Sequence, residues 1–136
     1  MKSPDVVLRK ALANSTAVTS LIGAKLYPVV APSEATYPFV TYRRIAVQRL
    51  QTLGAPVGLP RVTLDYTIYG GTYDQARQVA DAMRAVLDGY GGTMDNTVVH
   101  RASVENETDD FVSLTGAELP PSYAITMTVD TWWTET

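Results

Sequence analysis

The sequence predicts an α+β domain: a single antiparallel-rich sheet of four to five strands, with one main helix and an N-terminal helix pair packed on one face. Three observations point there. Arg61 to Tyr69 alternates, with Val62, Leu64, Tyr66 and Ile68 on one face and Thr63, Asp65 and Thr67 on the other. Ala76, Val79, Ala80, Met83, Val86 and Leu87 fall at offsets 0, 3, 4, 7, 10 and 11, the spacing of one helical stripe. Strand signals cluster on both sides of that helix and do not alternate with further long helices. At 136 residues the chain is one domain, residues 1–136, without room for two independent cores.

Helix signals come first. Ser3 can cap, Pro4 suits the first helical position, and Asp5 favours the positive end of the macrodipole. Leu8, Ala11 and Leu12 share a face. Asn14 or Ser15 ends this helix and can cap a second, in which Val18, Leu21 and Ile22 repeat the spacing before Gly23 stops it.

From Lys25 the period changes. Leu26 to Val30 reads as a short edge strand carrying Pro28, and Pro38 to Arg49 as a long strand rich in Val, Tyr, Phe and Ile. Between that strand and Arg61 lies a loop too long for a tight turn. It comprises Gln51, Thr52, Leu53, Gly54, Ala55, Pro56, Val57, Gly58 and Leu59, and no charge occurs in it. An uncharged loop with three large aliphatic residues, carried between two long strands, marks a candidate assembly contact.

Thr72-Tyr73-Asp74-Gln75 fits a capping box, and Gly89 a helix stop. Arg77 with Asp81 and Arg84 with Asp88 fall at i, i+4 on the wet side of the helix. Val98 to Asn106 and Ser122 to Trp133 read as the closing strands, with the acidic run Glu105 to Asp110 at a solvated hairpin end.

Composition narrows the function. Eleven basic against 14 acidic residues give a net charge of −3, the opposite of the basic excess that phosphate binding demands. No sequence-specific nucleic-acid binding is expected. Without cysteine there is no thiolate chemistry. No apolar run approaches the roughly 20 residues that cross a bilayer. Asp5, Arg9 and Lys10 break up any secretion signal at the start, so no membrane role is expected.

Catalytic motifs are equally scarce. Tyr69-Gly70-Gly71-Thr72 joins strand to helix, yet it matches neither phosphate-cradling glycine pattern and reads as a turn. Counted from Glu105, an EF-hand would need Gly at Asp110 and Glu at Gly116, and it fails. His100 is the one histidine, and no serine stands in a nucleophile-elbow motif. No enzyme activity, cofactor or metal is expected. Trp132 and Trp133 stand among acidic residues, which suits core packing or a subunit contact better than base stacking.

Several segments in order resemble the small tail-completion (tail-terminator) proteins of long-tailed phages and prophages. They are Gly23-Ala24-Lys25-Leu26-Tyr27-Pro28, Ala31-Pro32, Tyr37-Pro38-Phe39-Val40-Thr41-Tyr42, Arg61 to Tyr66, Tyr69 to Ala76, Val86-Leu87-Asp88-Gly89, and Tyr123 to Trp133. The likeness lies in their order and spacing. The Gln51–Leu59 loop and the Thr93–Val99 segment carry no family signature.

The resemblance implies a structural subunit of a homo-oligomeric, hexameric ring that ends tail-tube growth. Its partners would be its own copies, the tail tube protein and the head-side connector or neck protein. It would reside in the virion tail or neck, and in the host cytoplasm during assembly. Two other readings are another ring-forming neck or connector protein of the head–tail junction, and a small ligand-binding or enzymatic domain.

Overall fold

A computed structural model describes residues 4–23, 25–29, 36–48, 51–52, 55–56, 61–94, 97–112 and 122–134. Two short helices open the chain, α1 (Pro4–Ala13) and α2 (Thr16–Ile22). The strands β1 (Leu26–Pro28) and β2 (Phe39–Gln48) follow. Next come a two-rung hairpin, β3 (Gln51–Thr52) and β4 (Ala55–Pro56), and the strand β5 (Arg61–Gly70). The helix α3 (Tyr73–Leu87) precedes β6 (Gly92–Met94), β7 (Thr97–Val112) and β8 (Ser122–Thr134).

The main sheet has six strands in the order β1-β2-β5-β8-β7-β6. β1 pairs parallel with β2 and every other neighbour is antiparallel, so the sheet is mixed, and it curls into a half-barrel. This corrects the expected antiparallel-rich sheet of four to five strands, within an α+β architecture.

Both differences have a physical source. Strand direction is set by the end of the sheet to which a connection returns, not by a strand's own alternation. Here Val40 N–H donates to Lys25 O at 3.0 Å and Val29 N–H to Tyr42 O at 2.8 Å, which clamps β1 alongside β2 in the same sense. β6 spans three residues, too few to show a period of two. β7 is also longer than its apolar part, running through Glu105–Asp110 to Val112, so the acidic run is strand and not a hairpin end.

The strand-to-helix junction follows its local chemistry. Thr72 Oγ1 accepts from Gln75 N–H at 3.1 Å, half of a capping box. Gln75 Oε1 reaches one residue further back than expected and accepts from Gly71 N–H at 2.9 Å. A Cβ at Gly70 would lie 2.8 Å from Ala76 N, so glycine lets the strand end pass under the first helical turn. At the other end, Gly89 at φ +79° donates to Ala102 O at 2.7 Å and ties the helix exit to β7.

One continuous core lies between the helices and one face of the sheet. α3 supplies Ala76, Val79, Ala80, Met83 and Leu87, all fully buried. β5 supplies Val62, Leu64, Tyr66 and Ile68, and β8 supplies Ile125, Met127, Val129 and Trp133. Val7, Leu8 and Leu12 of α1, with Val18 and Ile22 of α2, close the layer.

Met83→Asp or Leu87→Asp is expected to unfold the subunit, because each strands a charge inside the core at a loss of roughly 4 kcal/mol or more. Gln78→Asp and Arg84→Asp, on the exposed side of the same helix, should melt within a few degrees of the parent. Circular dichroism melts of the four variants decide it, and a similar loss on both sides would overturn the assigned stripe.

Candidate assembly surface

The sheet face turned away from the helices is built from hydroxyls and carboxylates. β5 and β8 place Thr63 opposite Asp130, Asp65 opposite Thr128, and Thr67 opposite Thr126. Thr63 Oγ1 donates to Asp130 Oδ1 at 2.7 Å and Thr128 Oγ1 to Asp65 Oδ1 at 2.9 Å. The two threonine hydroxyls of the next rung sit 3.4 Å apart. Arg61 reaches Asp130 Oδ2 at 4.0 Å. Each carboxylate is therefore occupied by a cross-strand donor, which rigidifies the face.

One end of this face is aromatic. The Phe39 ring stacks on Tyr69 at 4.9 Å and on Tyr37 at 5.6 Å, and Tyr27 tilts against it at 6.3 Å. Beside them lies a shallow hollow of about 280 Å³, lined by Val29, Thr41, Arg43, Asp65, Thr67, Tyr69 and Thr126 among others. Its lining combines one arginine and one carboxylate with hydroxyls and rings, and contains neither a histidine nor a thiol. Val29 is 64% exposed and holds φ +64°, a backbone region that β-branched residues avoid. Ile45 and Val47 on β2 are also exposed large aliphatics.

Arg77 is the electrostatic tie between helix and sheet. Its Nη2 donates to Asp81 Oδ1 at 2.9 Å and to both Glu107 oxygens at 3.3 Å, and its Nη1 lies 4.0 Å from Asp109 Oδ1. Tyr73 Oη donates to Asp109 Oδ2 at 3.0 Å. The hydrogen bond to Asp81, reinforced by Glu107 against partial burial, holds the guanidinium above its ordinary range. Of this cluster the helical spacing revealed only the Arg77–Asp81 pair. Glu107 is 30 residues away, and only the register of β7 brings it near.

The other residues singled out in the sequence fall in separate places. Within the Gln51–Leu59 loop, Gln51 pairs with Pro56 and Thr52 with Ala55, whereas Leu53, Gly54, Val57, Gly58 and Leu59 lie outside the described residues. His100 sits exposed at a β7 bulge. Trp133 is buried in the core, and Trp132 is half-exposed on the far face opposite Arg61. Arg84 and Asp88 form no ion pair among the described residues, and Asp88 Oδ1 accepts from Val104 N–H at 3.2 Å. No three His, Asp or Glu side chains among the described residues converge to hold a metal ion. No described helix is long and apolar enough to cross a membrane.

The sequence matches a known family. The family model described as tail completion protein gp17 matches residues 6–132. No curated protein matches the sequence. Among solved structures, a chain from the virion of a native gene transfer agent (GTA) particle superposes with a TM-score of 0.77 at 12% identity. The match covers 94% of this chain and 92% of that one, and at this identity the likeness is one of fold.

Arg77→Met should remove the helix–strand tie while keeping most of its packing, lowering stability by about 1–2 kcal/mol. Hydrogen exchange should accelerate most across Glu105–Asp110 and little across Arg61–Gly70. Uniform acceleration would mean that Arg77 supports the whole fold and not this corner.

Proposed function

The chain belongs to the tail completion protein gp17 family, and from that premise we propose that it is the subunit of a hexameric ring that terminates a phage-type tail tube and joins it to the head-side connector. The family match over residues 6–132 carries this reading. The chemistry of the surface supports it. The carboxylates of the polar face are held by threonine donors, which makes it a stiff surface suited to contact. Such a protein works by shape and contact alone. A head-to-tail interface whose rotation divides a circle closes into a ring and leaves no end for further addition, which is the property a terminator needs.

Its partners in this reading are further copies of itself, the tail tube protein and the connector or neck protein, with no cofactor and no catalysis. The Gln51–Leu59 loop serves as a contact with the tube or with the adjacent subunit. Its uncharged composition and its origin between β2 and β5, at the end of the sheet opposite the aromatic tier, support that role.

Electron microscopy of particles made without this protein should show overlong or unjoined tails. Tails of normal length attached to heads would overturn the proposed function. Replacing Gln51–Leu59 with a Gly-Asn turn should keep the melting temperature within a few degrees and impair tail joining. Normal infectious tails from that variant would remove the loop from the contact.

A further inference from the structure

Among the described residues the main sheet leaves two edge stretches without a neighbouring strand, and they differ in charge. β1 covers β2 only along Val40–Tyr42, so from Arg43 onward the outer edge of β2 has no strand beside it among the described residues. Val40 and Tyr42 direct backbone groups outward to the β1 side. By the two-residue period Arg44 does the same where β1 has ended. The side chains of Arg43 and Arg44 are exposed and have no hydrogen-bond or ion-pair partner among the described residues, and Ile45 and Val47 stand exposed beside them. An exposed strand edge carrying aliphatic residues is a template for pairing.

At the opposite side of the sheet, β6 pairs with β7 only from Thr97 to Val99, and the Gly89–Tyr90 connection bonds Ala102. Beyond Val104 the outer edge of β7 is also uncovered among the described residues, and it is acidic. Arg77 engages Glu107 and Asp109 from the helix side, while Glu105 stays exposed at the bulge. The asymmetry extends through the sequence. Residues 35–64, which contain β2, carry four arginines and no acid, whereas residues 102–136, which contain most of β7 and all of β8, carry seven acids and no Lys or Arg.

We infer that the β2 edge of one copy docks on the β7 edge of the next, through the Arg43–Val47 stretch and the acidic stretch that begins at Glu105. This names the subunit contact of the proposed ring and rests on that reading. Charge decides the geometry. Two β2 edges repel each other, as do two β7 edges, so the two-fold pairings that would make a closed dimer are disfavoured and the head-to-tail pairing is favoured. The uncovered stretches lie diagonally across the sheet, because β1 covers the Phe39 end of β2 while β6 covers the Val98 end of β7. Successive copies are therefore displaced along the strands, and the ring they form has strands inclined to its axis, as in closed barrels.

The test is a charge exchange read by sedimentation and native mass measurement. Arg43→Glu with Arg44→Glu makes the β2 edge acidic, and Glu105→Arg with Thr108→Arg makes the β7 edge basic. All four residues are exposed, so thermal melts should confirm folded chains. Each double variant alone is expected to self-associate roughly a hundredfold more weakly than the parent. An equimolar mixture of the two should assemble, and so should the fourfold variant. Raising the salt concentration should weaken the parent assembly. Unchanged assembly of both double variants would overturn the edge pairing and leave the ring intact. Loss without rescue on mixing would also overturn it, as would a parent chain that stays monomeric at low salt. The tail phenotype tests the tail role independently.

Discussion

Val79, Met83 and Leu87 of α3 are withdrawn from water against β5 and β8, and the placement of every other element follows from that contact. Burying each of these side chains contributes about 1.5–3 kcal/mol. The strands beneath answer with a largely apolar face, into which the buried Thr131 is set, so the helix can settle along them in one register. α1 and α2 then cover the flank that α3 leaves open, and their buried faces join the same core. Gly70 belongs to this arrangement, because a side chain there would push the first turn of α3 off the strand it follows.

Placing all three helices on one side of the sheet leaves the other side exposed. A bare sheet face needs its polar groups satisfied without becoming adhesive. The alternating Thr and Asp residues of β5 and β8 meet that need by pairing across the strands, so the carboxylates point at hydroxyls and not at solvent ions. The surface that results is stiff. Its aromatic and exposed aliphatic residues stand at its margins, where the aromatic tier, Val29 and the aliphatic residues of β2 lie.

Charge is used in two distinct ways. Arg77 is partly buried, shared among carboxylates of its own helix and of β7, and acts within the subunit. Arg43 and Arg44 are exposed at a strand edge, and in the proposed pairing they act between molecules, where charge governs encounter and partner orientation more than stability. The net charge of −3 conceals this division, since it averages a basic hairpin with an acidic one.

Much of the fold was legible in the residues. The helical stripe of α3, its Thr72 cap, the stop at Gly23 and the alternation of β5 are patterns contained within a few turns or one strand, and the structure follows them closely. The family likeness was legible too, in the order of several short segments. The mixed sheet was not, because strand direction depends on where the 29–38 connection returns, and β6 is too short to carry a pattern. Nor was the acidic end of β7 legible as strand. Its side chains look like those of a loop until Arg77 and the β8 ladder are brought beside them. The sequence by itself determined which faces are apolar, since periodicity is local. Only the tertiary structure decided strand order, the Arg77 cluster and the two uncovered edges, because each depends on contacts between residues far apart in the chain.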